Sequence, residues 1–302
     1  MRNLIKLLLS VLALSVAVPA NAALKVFACE PEWAALAQEL GGDRVSVFSA
    51  TTALQDPHYI EARPSLIARV RNADLVVCTG ADLEAGWLPL LLRSSGNPRV
   101  QPGASGFFLA AEHVTLLDVP AKLDRALGDI HAAGNPHLHT DPRNIARVAR
   151  ALAQHLAVLD PDDAAHFETR YRDFHKRWTQ AIARWEREAV PLKGMAVVSQ
   201  HQGGWTYLIR WLGLSEVAVL EPRPGVPASA AHLAQVLARL RSQPAKMVLR
   251  AAYQDGKPSE WLAQQTGIRA VVLPYTVGGS ERATDLFGLF DDTITRLLEA
   301  SR

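Results

Sequence analysis

The chain is short of cysteine, of unbalanced charge and of long apolar runs. Two cysteines in 302 residues, Cys29 and Cys78, make neither a disulfide scaffold nor a four-thiolate zinc site. Thirty-two Lys and Arg stand against thirty Asp and Glu, a formal net charge of +2. That balance lacks the basic excess of a nucleic-acid binder, so no nucleic-acid partner is expected. Hydrophobic residues are 49% and charged residues 21%, which excludes a disordered chain, a collagen-like repeat and a polytopic membrane protein. Common enzyme signatures are missing too. There is no Gly-x-Ser-x-Gly elbow, no His-Glu-x-x-His helix and no phosphate-binding or dinucleotide fingerprint. Gly203-Gly204 and Gly278-Gly279 are isolated pairs that suit turns approaching a cleft.

The one strongly apolar stretch is residues 7–18. Arg2 and Lys6 precede it and Ala20-Asn21-Ala22 follows it. A positive start, a short apolar core and a small-x-small site describe a signal peptide over residues 1–22. The run is too short to span a bilayer comfortably, and no cysteine follows the cleavage site directly, which argues against a lipid anchor. Removing it leaves thirty acidic and thirty basic residues. The expected product is an exported protein, most simply periplasmic.

Beyond residue 22, short apolar runs alternate with amphipathic stretches. Strands are expected at 24–29, 45–48, 75–78, 114–117, 195–199, 217–220, 247–249 and 270–273. Helices are expected at 32–40, 65–71, 84–93, 142–159, 205–212, 230–241, 260–266 and 284–300. This βαβα alternation predicts an α/β fold of two lobes, each a parallel sheet flanked by helices. The segment 161–190 stands apart. Phe167, Tyr171, Phe174, Trp178, Ile182 and Trp185 recur at helical spacing, one apolar stripe on a long helix. It is either a long packing helix or a bridge between an N-terminal lobe at 23–160 and a C-terminal lobe at 191–302.

Three of the ten histidines share a setting. His58 lies in Gln55-Asp56-Pro57-His58, after the second strand. His137 lies in Gly134-Asn135-Pro136-His137-Leu138-His139. His201 lies in Ser199-Gln200-His201-Gln202, after the first strand of the second lobe. Open α/β sheets bind ligands in the crevice at the carboxyl ends of their strands, and a crevice between two lobes would gather the three imidazoles. Three nitrogens plus one further ligand suit Zn²⁺, though imidazole also suits Cu, Ni and Fe. Prolines 57 and 136 stiffen the chain just before their histidines. His155, His166, His175 and His232 lie on or near helices and suit solvated or packed roles.

Gln55-Asp56-Pro57-His58, Gly80-Ala81-Asp82-Leu83-Glu84, Asn135-Pro136-His137 with Asp141-Pro142, and Ser199-Gln200-His201 resemble the ABC-transporter substrate-binding proteins for zinc and manganese. The resemblance runs over the whole chain after residue 22, in order. It implies a long rigid interdomain helix, metal ligands at His58, His137 and His201, and delivery to an ABC permease by a monomeric protein that is not an enzyme. His at the third ligand position is the zinc type, where manganese members often carry Glu, so Zn²⁺ is expected over Mn²⁺.

Three departures stand out. The family's Asp after the last strand is missing from Leu273-Pro274-Tyr275-Thr276-Val277-Gly278-Gly279. The fourth position is then water or another open position, the favoured reading, or a carboxylate such as Glu281 or Asp285. A dense His-rich loop is absent, with only His113, His131 and His139 in that region. His139 replaces an aromatic residue and suits a supporting or exposed role better than that of a ligand. An open fourth position keeps a zinc hydrolase as an alternative, and a chelate- or vitamin-binding protein of similar architecture is another. Glu30, Glu32 and Glu221 follow strands and are candidates to face the cleft. Cys29 and Cys78 end neighbouring strands, where a disulfide is compatible with an oxidising compartment but awkward between parallel neighbours.

Overall fold

The computed structural model describes residues 22–121 and 131–302. The expected signal peptide therefore lies, apart from Ala22, outside the described residues. The first sheet holds β1 (Leu24–Ala28), β2 (Val45–Ser49), β3 (Leu75–Cys78) and β4 (Phe107–Leu109), in the order β2-β1-β3-β4. All its pairings are parallel. α1 (Pro31–Gly41), α2 (Pro64–Arg71), α3 (Leu88–Ser95) and α4 (Pro142–Leu159) flank it. After the long α5 (Ala164–Glu188), the pattern repeats with β5 (Ala196–Ser199), α6 (Thr206–Leu212), β6 (Ser215–Val219), α7 (Ala230–Ser242), β7 (Met247–Ala251), α8 (Lys257–Thr266), β8 (Arg269–Leu273) and α9 (Leu286–Ser301). Its sheet order, β6-β5-β7-β8, is the same arrangement again, also parallel.

A sheet covered on both faces needs apolar residues throughout its strands, and β3 is buried at every position. Alternation assigns the faces. Val26, Ala28 and Val77 join the cluster under α1, α4 and α5, while Phe27, Val76 and Cys78 face α2 and α3. Likewise Val197, Met247 and Leu249 join the first cluster, while Val198 and Val248 face α7 and α8. One apolar core thus runs from sheet to sheet, and α5 is its spine. Phe167, Phe174, Trp178, Ala181 and Trp185 of α5 are buried. Phe290 of α9 lies 5.6 Å from Trp178 and 5.1 Å from Trp185, centroid to centroid. Two indole N–H groups tie the helix at its middle and near its C-terminal end, Trp178 donating to Pro142 O (2.8 Å) and Trp185 to Asp291 Oδ1 (2.6 Å).

Two expected elements need correction. Residues 114–117 form no strand; the edge strand is β4. The Leu117 N–H donates to Tyr207 Oη and its carbonyl accepts from Asn135 N (3.0 and 2.8 Å). Its backbone is therefore committed to the seam between the lobes. Residues 84–87 are not helical either, and α3 begins at Leu88. Glu84 is spent on the turn before it, accepting Thr79 N–H (2.7 Å) and Gly80 N–H (3.0 Å), while Ala81 and Asp82 take φ of 49° and 65°. The cysteine pair, left open by the sequence, is bonded. Cys29 and Cys78, 4.8 Å apart at Cα, form a buried disulfide where β1 and β3 end.

Candidate metal centre

The three histidines singled out in the sequence meet in the cleft between the sheets. Ring centroids are separated by 5.4 Å (His58–His137), 5.9 Å (His137–His201) and 6.2 Å (His58–His201). Imidazoles on one tetrahedral zinc would have centroids about 5 Å apart, given Zn–N bonds of about 2.0–2.1 Å. The observed separations exceed that, so the rings must draw together to share one ion.

Each ring is held by its own loop. His58 follows β2, and Trp87 Nε1 donates to the carbonyl of Pro57 (2.8 Å), clamping the residue before it. Its Nδ1 lies 2.6 Å from Asp56 Oδ1. A neutral imidazole donates from one nitrogen only, so the Asp56 contact turns the lone pair of Nε2 toward the cleft. His201 follows β5 and uses the same device, with Nδ1 2.8 Å from Glu221 Oε2. Burial opposes ionisation of Asp56, but its hydrogen bonds and charge interaction with His58 win and hold its pKa below the ordinary 3.8. His137 is 3% exposed and precedes the 3-10 turn Leu138–Thr140 that leads into α4. Burial, then the surrounding His58, His201, His139 and His131, pushes its pKa well below 6.5. It is therefore neutral, the form a metal requires.

A polar seam sets the distance between the lobes. Asn135 Nδ2 donates to Gly203 O (2.8 Å) and Asp118 Oδ2 (3.0 Å), and Tyr207 Oη donates to Asn135 O (2.8 Å). Gly203 has φ +79°, and a Cβ there would stand 3.3 Å from Asn135 Nδ2. Both the backbone conformation and the close approach call for glycine. Beside the seam lies a cavity of about 380 Å³, lined in part by His58, His131, His137, His201 and Asp118.

The sequence reading missed the part played by His131. Its Nε2 lies 3.3 Å from His58 Nε2, and its ring lies 5.3 Å from that of His58 and 6.3 Å from that of His137. Its sole signal was a histidine six residues before His137. Glu281 and Asp285, the expected carboxylate candidates, are both exposed. Asp285 is committed as the cap of α9, where Oδ1 accepts Gly288 N–H (2.7 Å). The loop before them approaches Pro274 closely enough to require glycine. A Cβ on Gly279 would meet Pro274 O at 1.8 Å, and Gly278 N donates to Ala283 O (2.6 Å). Tyr275 fills that side with φ +67°, its buried ring 5.8 Å from His137 and 5.0 Å from His139. His139 is buried behind the cluster, with Nδ1 3.3 Å from Glu32 Oε1. Glu30 accepts from Thr79 Oγ1 (3.0 Å) and neighbours Glu84. Of the three carboxylates weighed for the cleft, Glu221 touches a cluster histidine, while Glu30 and Glu32 serve the packing behind it.

The remaining histidines are engaged elsewhere. His155, His166 and His232 each bond a backbone carbonyl through Nε2. His113 and His175 stack on Phe108 and Tyr171.

The sequence model of the family described as ZnuA, zinc-uptake complex component A, periplasmic, matches residues 26–300. The chain belongs to this family. It is a metal-binding substrate-binding protein of the ABC-importer type, not an enzyme, and proteins of this type deliver metal to a membrane permease. The manganese ABC transporter substrate-binding lipoprotein PsaA of Streptococcus mitis is 21% identical over 254 residues, covering 81% of this chain and 77% of the relative. A crystal structure of ZnuA superposes with TM-score 0.77 at 22% identity, covering 93% of this chain and all of that one. A cadmium-bound periplasmic metal-binding protein from Candidatus Liberibacter asiaticus gives TM-score 0.74 at 18% identity, covering 92% of this chain and all of that one. Among the described residues, no helix is long and apolar enough to cross a membrane.

Proposed function

We propose that this chain captures Zn²⁺ in the cleft between its two lobes through His58, His137 and His201, and hands it to an ABC permease from the periplasm. One observation carries the reading: three imidazoles from three separate loops, on both lobes, face one another within 6.2 Å. Two of them are oriented from behind by Asp56 and Glu221. Carboxylate–histidine pairs of this kind fix the tautomer of a metal ligand and raise its basicity.

The donor set favours zinc over the manganese named for the streptococcal relatives. Mn²⁺ suits carboxylate, carbonyl and water oxygens in octahedral arrangements, whereas imidazole suits zinc, and zinc outranks manganese in intrinsic affinity for nitrogen sites. The lobes are taken as 23–160 and 191–302 with the helix at 161–190 between them. The shared apolar core along α5 supports a small closing movement in place of a wide hinge.

The test is zinc titration of the chelator-treated protein and of His58→Ala, His137→Ala and His201→Ala. Each variant is expected to lose zinc affinity by far more than a surface change would cause, with an unaltered fold by circular dichroism. If all three titrate like the parent chain, the site is elsewhere.

A further inference from the structure

We propose that His131 is a fourth metal ligand, so that the site is an all-imidazole tetrahedron and His131 is a determinant of zinc over manganese. The proposal rests on the three-histidine reading above and deepens it.

The argument begins with geometry. Four nitrogens on zinc at about 2.0–2.1 Å stand about 3.3–3.4 Å apart along each edge of the tetrahedron. His58 Nε2 and His131 Nε2 are 3.3 Å apart. The contact of His58 Nδ1 with Asp56 leaves His58 Nε2 as the lone-pair nitrogen, and His131 approaches that same atom. The His131 ring is also within 6.3 Å of the His137 ring, close to the separations inside the trio itself.

The position of His131 is built. Its carbonyl accepts from Gly134 N (3.2 Å), and the next residue, Ala132, donates its N–H to Asp82 Oδ2 (3.0 Å). Asp82 stands in the turn after β3 with φ +65°. The segment is thereby fastened to the N-terminal lobe on the same side as His58.

Among the described residues, neither carboxylate expected at the fourth position is placed as a competing donor. Asp285 is spent on its helix cap, and Glu281 is exposed. Replacing the expected oxygen donor by a fourth imidazole changes the chemistry as well as the count. A neutral nitrogen tetrahedron suits zinc and offers manganese none of its preferred oxygens. The alternative is that His131 only hydrogen-bonds His58 across the cleft mouth without touching metal.

The experiment uses the full exported chain, stripped with chelator and loaded with Zn²⁺, or with Co²⁺ as a visible probe of coordination. X-ray absorption on the zinc-loaded parent chain is expected to count four imidazoles. His131→Ala is expected to weaken zinc by at least about 10-fold, the lower end of what losing even an outer-shell partner costs, and to change the cobalt spectrum. His131→Asp is expected to narrow the zinc-to-manganese affinity ratio. The proposal is overturned if absorption counts three imidazoles, or if His131→Ala keeps the parent affinity and cobalt spectrum while His58→Ala loses both. In that second case the trio stands and His131 only hydrogen-bonds. If His58→Ala also binds like the parent chain, the three-histidine reading fails with it.

Discussion

Asp56 and Glu221 do for His58 and His201 what no neighbour in the sequence does for His137. They hold Nδ1 and so aim Nε2 into the cleft. Asp56→Asn and Glu221→Gln are expected to lower zinc affinity about 10- to 100-fold, the usual cost of losing a carboxylate behind a metal-bound imidazole, as read by competition with a chromophoric chelator. His137 obtains its neutrality from burial instead. Protons compete with metal for imidazole, whose ordinary pKa is about 6.5. Zinc affinity is therefore expected to fall as pH drops through 6.5 toward 5, and more steeply than one protonation would give. An affinity unchanged between pH 7.5 and 5.5 would be incompatible with a multi-imidazole site. At this scale the sequence was informative wherever proline or a strand end fixed a histidine, as at His58, His137 and His201. His131 escaped because its partner, His58, is 73 residues away, and its neighbours carry no motif.

The turn after β3 shows what an element's end can store. Glu84 is fully buried, and desolvation raises its pKa from 4.5 to about 7, against the opposing hydrogen bonds from Glu30 and from the backbone N–H groups of Thr79 and Gly80. Glu30 beside it is raised too, by burial and then by the charges of Glu84 and Glu32. A raised carboxyl binds more protons in the folded chain than in the unfolded one between pH 4.5 and about 7. Stability from Glu84 is thus fully present below pH 4.5 and is lost as pH rises through 7. Glu84→Gln is expected to flatten that decline, which is on the order of 2–3 kcal/mol, in denaturant melts at pH 5 and pH 8. A parent chain with no such decline would show that the pair is solvated. The same turn explains a misjudged boundary. Glu84 looks like a helical residue in the sequence, but its carboxylate turns back to accept the N–H groups of Thr79 and Gly80, and α3 begins only at Leu88. Residues 114–117 were misjudged because the Leu117 backbone is committed at the seam, to Tyr207 of the C-terminal lobe and to Asn135 of its own lobe. α4 and the stripe of α5 were legible from helical periodicity, and β3 from its continuous apolar run, each within one segment.

At the scale of the whole molecule, two copies of one sheet order share a core strung along α5. Trp178 sits at its middle, fully buried, in ring contact with Phe174, Trp185, Phe287 and Phe290. Trp178→Ala is expected to cost about 3–5 kcal/mol and to lower the thermal midpoint of both lobes together, because the core they share is one cluster. Two separate transitions, only one of them shifted, would contradict that continuity. The disulfide acts at the same scale. It closes a loop with a sequence separation of 49, for which chain entropy suggests about 4 kcal/mol of stabilisation. Reduction under native conditions is expected to lower the midpoint correspondingly.

The central claim is that imidazoles gathered from both lobes hold zinc in preference to manganese. Calorimetric titration of the chelator-stripped chain with Zn²⁺, alone and in the presence of excess Mn²⁺, addresses it most directly. The account predicts one equivalent of zinc bound whether or not manganese is present, with the binding abolished or severely weakened in His137→Ala. Manganese that blocks zinc uptake at comparable concentration, or zinc bound equally well without His137, would contradict it.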